Sequence, residues 1–327
     1  MTVFIDPPVW PAHGTVFSHL ISDTSLAQLH TFAAEAGISP RAFDRDHYDV
    51  PAHRYGQLVD LGAVPVSGHH LVRILTASGL RVRTWERPEK VRANLQRAWE
   101  RLGERLIGQR LHVGLTDPAG RQWTRRGEDL LDRWGEPHRN YHALPHLASV
   151  VRTTGILRRA GELPASWAAV VMLAGWYHDA VYTGTPGEDE EASARLAEEQ
   201  LDGLLPAEEI AEVARLVRLT ATHHPEDDDV AGAVLVDADL EVLGRHRQAY
   251  RRYVSQVRAD YAHVSDADFA RGRAQVLTRL VETPRLFQTR TGYQRWERQA
   301  RQNVEDELRL YEGETFSGRG MDWFLSP

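Results

Sequence analysis

Histidine and aspartate recur at four places between residues 142 and 239, most of them among apolar neighbours. "HRNYHALPHLASVV" holds His142 and His146 four residues apart. "AGWYHDAVY" sets the pair His178-Asp179 between Trp176, Tyr177, Ala180 and Val181. "TATHHP" carries His223 and His224, and "VLVDADLEVLG" interrupts an apolar run with Asp237 and Asp239. A titratable group in an apolar setting is costly unless something pairs with it. Singly, each has an ordinary explanation: a core histidine bonded to its neighbours, or a carboxylate capping a helix. Jointly, imidazoles and carboxylates from separate apolar helices make the donor set of a divalent ion such as Mn²⁺, Fe²⁺ or Zn²⁺. A cation at their meeting point makes burying them favourable. Arg139, in "PHRNYH", offers a planar fork that suits a phosphate, or else it is a surface arginine.

The elements that must position these groups are helices. "VRANLQRAWERLGERLI" puts Val91, Leu95, Trp99, Leu102 and Leu106 on one helical face. Residues 146–161, 165–182, 190–204, 207–224, 237–264, 266–282 and 295–313 carry the same 3.6-residue period. The four-residue spacing of His142 and His146 stacks side chains on one helix face, although Pro145 sets His142 just before the first regular turn. The fold class expected is therefore mainly α: an all-helical bundle over 91–313, preceded by a small α/β domain over 1–83 and a junction at 84–90. The tail 314–327, "TFSGRGMDWFLSP" after Glu314, has no period.

The order His146, His178-Asp179, Asp237/Asp239 resembles the HD superfamily of metal-dependent phosphohydrolases. More narrowly, "NYHALPHL", "LAGWYHDAVY", "EDEEASA", "TATHH" and "LVDADLEVLG", followed by "YRRYVSQVRADY" and "ARQNVEDEL", are similar to a bacterial group described as predicted metal-dependent HD phosphohydrolases, over about residues 86–313. The resemblance implies a helical fold with His146, His178, Asp179 and a distal aspartate as metal ligands. Asp239 precedes Leu240 in the frame common to the superfamily, and Asp237 follows the apolar run directly, so both stand as candidates. It implies hydrolysis of a phosphate ester or anhydride of a nucleotide or another small metabolite, with a metal-activated water as nucleophile. The ion is left open among Mn, Fe, Ni, Co, Mg and Zn. His142, His223 and His224 are candidates for a second ion or a substrate phosphate, and Glu190 and Glu191 match acidic positions near the family's site. His223, His224 or Glu191 is the candidate proton donor to the leaving oxygen. Where the family has Asn before the Glu pair, this chain has Asp189.

The first 83 residues alternate strand and helix: "TVFID" (2–6), a capped helix at 22–37, "AVPVS" (63–67) and a helix at 69–79. They resemble a short uncharacterised bacterial domain through "VFIDPPVWPAHGTVFSHLISD" and "FDRDHYDVP". That resemblance carries no activity. The residues themselves do suggest a polar pocket for a metal or a phosphate. Asp44, Asp46, His47 and Asp49 crowd one segment, His13 and His19 lie in or beside the other loop, and Asp6 ends a strand. The alternative is that they serve as turn and cap residues. Trp10 and Phe17 are expected in the core.

Composition narrows the classes. No cysteine is present, which excludes disulfides, thiolate metal sites and cysteine nucleophiles. A net charge of −7 gives no general reason to expect nucleic acid. The Arg-rich helix after residue 90 has its charge largely offset by Glu86, Glu89, Glu100 and Glu104. No apolar run reaches membrane-spanning length, and the N-terminus lacks the pattern of a secretion signal, so a cytoplasmic protein with a small phosphorylated substrate and no membrane partner is expected. A homo-oligomer is left open. A second functional class is a nucleotide-sensing HD protein with little turnover, whose N-terminal domain docks a partner.

Overall fold

The computed structural model describes residues 2–12, 14–82, 88–108, 117–185 and 187–312. It is mainly α, with one small sheet near the N-terminus. The chain divides into two compact units. Among the described residues, the first holds 2–82 with 246–252, and the second holds 88–245 and 253–312.

In the first unit, β1 (Val3–Ile5), β3 (Thr15–Ser22), β5 (His47–Pro51), β4 (Phe43–Asp44) and β6 (Val64–Pro65) form a sheet in the order β4-β5-β3-β1-β6, with β2 (Trp10–Ala12) paired to β3. Only the β1–β6 pairing is parallel. Side chains alternate across the strands as the period of two requires. Val3, Ile5, Leu20, Tyr48 and Val50 pack with Leu29 and Ala33 of α1 (Leu26–Glu35) and Leu58 of α2 (Tyr55–Asp60). Ile21, one residue on from Leu20, packs instead with Leu71 and Leu75 of α3 (Gly68–Ala77). Capping fixes the helix starts: Ser25 accepts from the Gln28 amide, and Ser67 from that of His70.

Expected strands 2–6 and 63–67 and helices 22–37 and 69–79 appear here with trimmed ends. The paired strands β3 and β5, joined through α1 and β4, differ from expectation. In β3 each face mixes polar and apolar residues, Phe17, His19 and Ile21 on one and Ser18 and Leu20 on the other, so no clean alternation marks it. β5 does alternate, His47 and Asp49 against Tyr48 and Val50, but over only five residues rich in turn-type side chains. Trp10 is half exposed rather than core, because its indole donates to Asp6 at 2.9 Å and tilts against His19.

The second unit is helical. Its described helices are α4 (Pro88–Gly103), α5 (Pro118–Arg133), α6 (Leu144–Arg159), α7 (Ala168–Tyr177), α8 (Glu188–Leu201), α9 (Ala207–Leu219), α10 (Val230–Asp239), the part of α11 (Arg247–Asp260) from Tyr253 on, α12 (Asp266–Glu282) and, after short turns, α13 (Arg298–Glu312). The face predicted for α4 is buried at all five positions. It meets α5 through Trp99 and Trp123, whose rings stack at 4.2 Å. Each indole donates to the other's main-chain carbonyl, at 2.8 and 3.0 Å.

α7 is apolar on every side, with Val170, Val171, Leu173, Ala174, Trp176 and Tyr177 buried, which makes it the central helix of the core. Gly175 faces α6: a Cβ there would stand 3.0 Å from Val150. The helix expected over 237–264 is instead two, α10 and α11, separated by the tight turn Leu240–Gly244. α10 starts earlier, at Asp229, whose carboxylate accepts from the Gly232 amide at 2.8 Å. Asp237 and Asp239 consequently close a helix rather than open one.

Candidate metal centre

Three helix ends converge in the second unit. Pro145 in the first turn of α6 fixes the start of that helix, and His146 follows in the same turn. α7 stops at Tyr177, so His178 and Asp179 lie at its C-terminal end. α10 ends on Asp239. His178 is fully buried, His146 nearly so, and the Asp179 and Asp239 side chains are only 14% and 12% exposed.

Their donor atoms face one another. His146 Nε2 lies 3.2 Å from His178 Nε2, 3.0 Å from Asp239 Oδ1 and 3.8 Å from Asp179 Oδ2. His178 Nε2 lies 3.2 Å from Asp179 Oδ2 and 3.6 Å from Asp239 Oδ1. The far side of the His178 ring decides what this arrangement needs. Its Nδ1 is 2.9 Å from the Gly175 carbonyl, which can only accept, so Nδ1 carries a hydrogen. A neutral His178 then presents a bare lone pair at Nε2 to two carboxylate oxygens that are also acceptors. Such a set is stable only around a cation or an added proton, and a divalent metal fits it.

The electrostatics agree. Burial opposes charge on His178, yet Asp179 and Asp239 outweigh it and hold the ring protonated well above the ordinary range. Burial pushes His146 down, against the pull of Asp239. The Asp179 and Asp239 carboxyls are themselves disfavoured as ions by burial, but the charge and hydrogen bonding of His178, joined for Asp239 by His146 and His223, keep both below their usual range. Trp134 tilts against both rings and is held by its indole, which donates to the Trp176 carbonyl at 3.0 Å.

The two distal aspartates part company. Asp239 joins the cluster, and its second oxygen lies 2.9 Å from His223 Nε2. Asp237 is outside it. Asp237 is fully buried and accepts from the Gln288 amide, the Thr289 amide and the Thr289 hydroxyl at 2.7, 2.9 and 2.6 Å. Two residues apart on a helix, the two side chains point to different sides. His223 reaches Asp239 from a left-handed backbone conformation, φ 55°, just beyond α9. His224 turns away, exposed, to the Thr222 carbonyl.

His142 comes close without joining the set. Its Nδ1 is 2.9 Å from Asp260 Oδ2 and its ring stacks on Tyr182 at 4.2 Å. Asp260, at the end of α11, also accepts from the amides of Asn140 and Tyr141 and so ties down the loop carrying His142. Asp260 is the residue that sequence reading missed; its signal was a lone carboxylate ending the "YRRYVSQVRADY" block.

Arg139 is not a surface residue, and its guanidinium is turned to the protein's own main chain. It is buried, and its guanidinium donates to the main-chain carbonyls of Asp179, Ala180 and His142 at 2.6, 3.1 and 3.2 Å and to Glu136 at 3.0 Å. Glu191 is bound to Arg195 and Arg218 and lines a separate exposed groove of about 550 Å³ beside Arg195 and Glu199. Glu190 caps its own helix through the Gly187 amide at 2.5 Å and also borders the cavity over the cluster. Asp189 closes the loop after Asp179 by accepting from the amides of Thr183, Gly184 and Thr185 and the Thr183 hydroxyl. The cavity holds about 150 Å³ and brings together Tyr141, His142, Asp179, Glu190, His223, Asp239 and Tyr253.

In the first unit, His19, His47 and Asp49 come together, with donor atoms within 4.8 Å of one another. Asp6 and Asp46 stand behind the two rings. His19 is a strand residue rather than a loop residue. Asp44 stands opposite His47 across β4 and β5 without belonging to that group, its carboxylate 3.9 Å from Arg45, and His13 lies outside the described residues. Residues 3–78 match the family model described as Protein of unknown function (DUF4031). That match accounts for the sheet unit and leaves the helical unit uncovered. A search of curated proteins finds nothing that matches the chain. Among the described residues no helix is long and apolar enough to cross a membrane.

Proposed function

We propose that the helical unit is an HD-type, metal-dependent phosphohydrolase acting on a phosphate ester or anhydride of a small molecule, with His146, His178, Asp179 and Asp239 as the metal ligands. The observation that carries the reading is the acceptor-only meeting of His178 Nε2 with two carboxylates, fixed by the Gly175 carbonyl on the far side of the ring. A divalent ion there supplies an acidified water and polarises a phosphoryl oxygen.

The chain's own residues have the complementary tasks. Arg139 holds the Asp179 and Ala180 carbonyls and so fixes where the Asp179 carboxylate stands. His223 orients Asp239 through the oxygen not facing His146. His142, oriented by Asp260, borders the cavity and is placed to donate to a phosphate oxygen or to the leaving oxygen. No Arg or Lys lines the cavity among the described residues, so charge on a bound phosphate is met by the metal and the histidines. A cavity of about 150 Å³ suits the phosphoryl end of a substrate, the remainder lying outward.

The test is turnover. Protein stripped of metal and resupplied with Mn²⁺, Fe²⁺, Ni²⁺, Co²⁺, Mg²⁺ or Zn²⁺ is assayed on a panel of phosphoesters and nucleotides. Activity should depend on the ion and vanish, with the bound ion, in Asp179→Ala. Full activity in that variant overturns the reading. Tight nucleotide binding with no hydrolysis under any ion would favour the sensing alternative.

A further inference from the structure

β3 and β5 build a second constellation on one face of the sheet. His19 and Asp49 are directly opposite each other in the antiparallel register, and His47 is two residues from Asp49 on the same strand, so period-two alternation puts all three side chains on one side. The face is the one on which Ile21 meets α3, opposite the larger apolar cluster of Leu20, Tyr48 and Val50.

Both histidines are built the same way. His19 Nδ1 is 3.0 Å from Asp6 Oδ2, and Asp6 is itself held by the His19 amide at 2.5 Å and the Trp10 indole at 2.9 Å. His47 Nδ1 is 2.6 Å from Asp46 Oδ1, and Asp46 also accepts from the Val82 amide at 2.6 Å. Asp6 and Asp46 are almost wholly buried, at 1% and 0%. A buried carboxylate on Nδ1 fixes the tautomer and turns Nε2 toward a ligand, the outer-shell pattern of metal-binding histidines. Here two such pairs aim at one oxygen: His19 Nε2 and His47 Nε2 lie 3.8 and 3.4 Å from Asp49 Oδ1. Those separations exceed a good hydrogen bond. Neighbouring ligands around a tetrahedral ion with bonds near 2.0–2.1 Å are about 3.3 Å apart, close to the His47 separation, and the His19 separation is longer by about half an ångström.

We propose that His19, His47 and Asp49 form a second divalent-metal site, of a transition-metal kind such as zinc, with Asp6 and Asp46 as the carboxylates that position the two rings. The site is independent of the proposed reaction in the helical unit. Three protein ligands leave a coordination position for water or an anion, and Asp49, 45% exposed, marks the open side.

The test uses the full chain, stripped of metal and titrated with Zn²⁺ by equilibrium dialysis and elemental analysis. In His178→Ala/Asp179→Ala, which disables the other cluster, one equivalent should still bind. Adding His47→Ala or Asp49→Asn should remove it. Asp46→Asn should keep the equivalent with affinity lowered about 10- to 100-fold. Co²⁺ in place of Zn²⁺ should give visible absorption that disappears with the same substitutions. Asp49→Asn in the otherwise intact chain supplies a second route, since its half-exposed position spares the core: bound Zn²⁺ should fall by one equivalent. Unchanged stoichiometry in Asp49→Asn, or no bound equivalent in a His178→Ala/Asp179→Ala protein of native circular dichroism, overturns the proposal.

Discussion

Asp239 faces two histidines at once: Oδ1 stands 3.0 Å from His146 Nε2 and Oδ2 stands 2.9 Å from His223 Nε2. Asp237, on the same helix, reaches neither and is taken up by Gln288 and Thr289. Asp239→Asn should therefore lose the ion of the helical unit, and Asp237→Asn should keep it. His223→Ala removes only the group that orients Asp239, so metal affinity should drop about 10- to 100-fold rather than vanish. Elemental analysis after dialysis against chelator reads all three.

Arg139 is a fastening for the loop beside Asp179. Lysine cannot reproduce a planar fork that reaches three carbonyls. Arg139→Lys should cost about 2–3 kcal/mol of stability, the scale of lost charge-assisted hydrogen bonds, read by urea unfolding. KM for a phosphoester should stay within experimental scatter of wild type. A selective rise in KM at unchanged stability would return Arg139 to the substrate.

The Asp237 carboxyl makes stability depend on pH. Burial raises it to about 6, against the bonds from Thr289 and Gln288 that favour its charged form. A carboxyl raised above its unfolded value holds its proton more tightly in the folded protein. Its stabilising contribution is present at low pH and is lost as pH rises from about 4 through 6. Relative to Asp237→Asn, whose side chain does not titrate, wild type should lose about 2 kcal/mol of stability between pH 4 and pH 7. Parallel urea unfolding series at the two pH values check it; a difference that stays constant, or grows with pH, is the contrary result.

Gly127 lies against the stacked tryptophans. A Cβ there would come 2.3 Å from Trp99 Cδ1, part of a ring fixed by its bond to the Trp123 carbonyl. Gly127→Ala should destabilise by about 1–3 kcal/mol through overpacking, despite alanine's better helix propensity. A thermal melt measures it, and a rise in Tm would mean the α4–α5 contact has slack.

What the chain by itself determined was set by local chemistry. Apolar residues every three to four positions require helices wherever they run, so the helical unit and the buried face of α4 were legible, as was a capped helix within 22–37. His178 and Asp179 were legible as a site because they sit in the most apolar helix of the molecule, where uncompensated polarity is costly. Strand β3 was hidden because both of its faces mix polar with apolar residues, and β5 because its short alternation is made with His47 and Asp49, residue types that also mark turns.

Tertiary structure alone decided which carboxylates and guanidinium groups go where. Asp237 and Asp239 were both open as ligands in sequence; packing of α10 sets the side of Asp239 against the histidines and, two residues away, that of Asp237 against Thr289. Arg139 could be matched to a phosphate by type, yet burial against the Asp179 and Ala180 carbonyls consumes its donors. Asp260 acquires its part from α11, which brings it 118 residues along the chain to His142. Periodicity reports which face of an element is buried, whereas a side chain's partner depends on how the elements end and pack, which is a property of the whole unit.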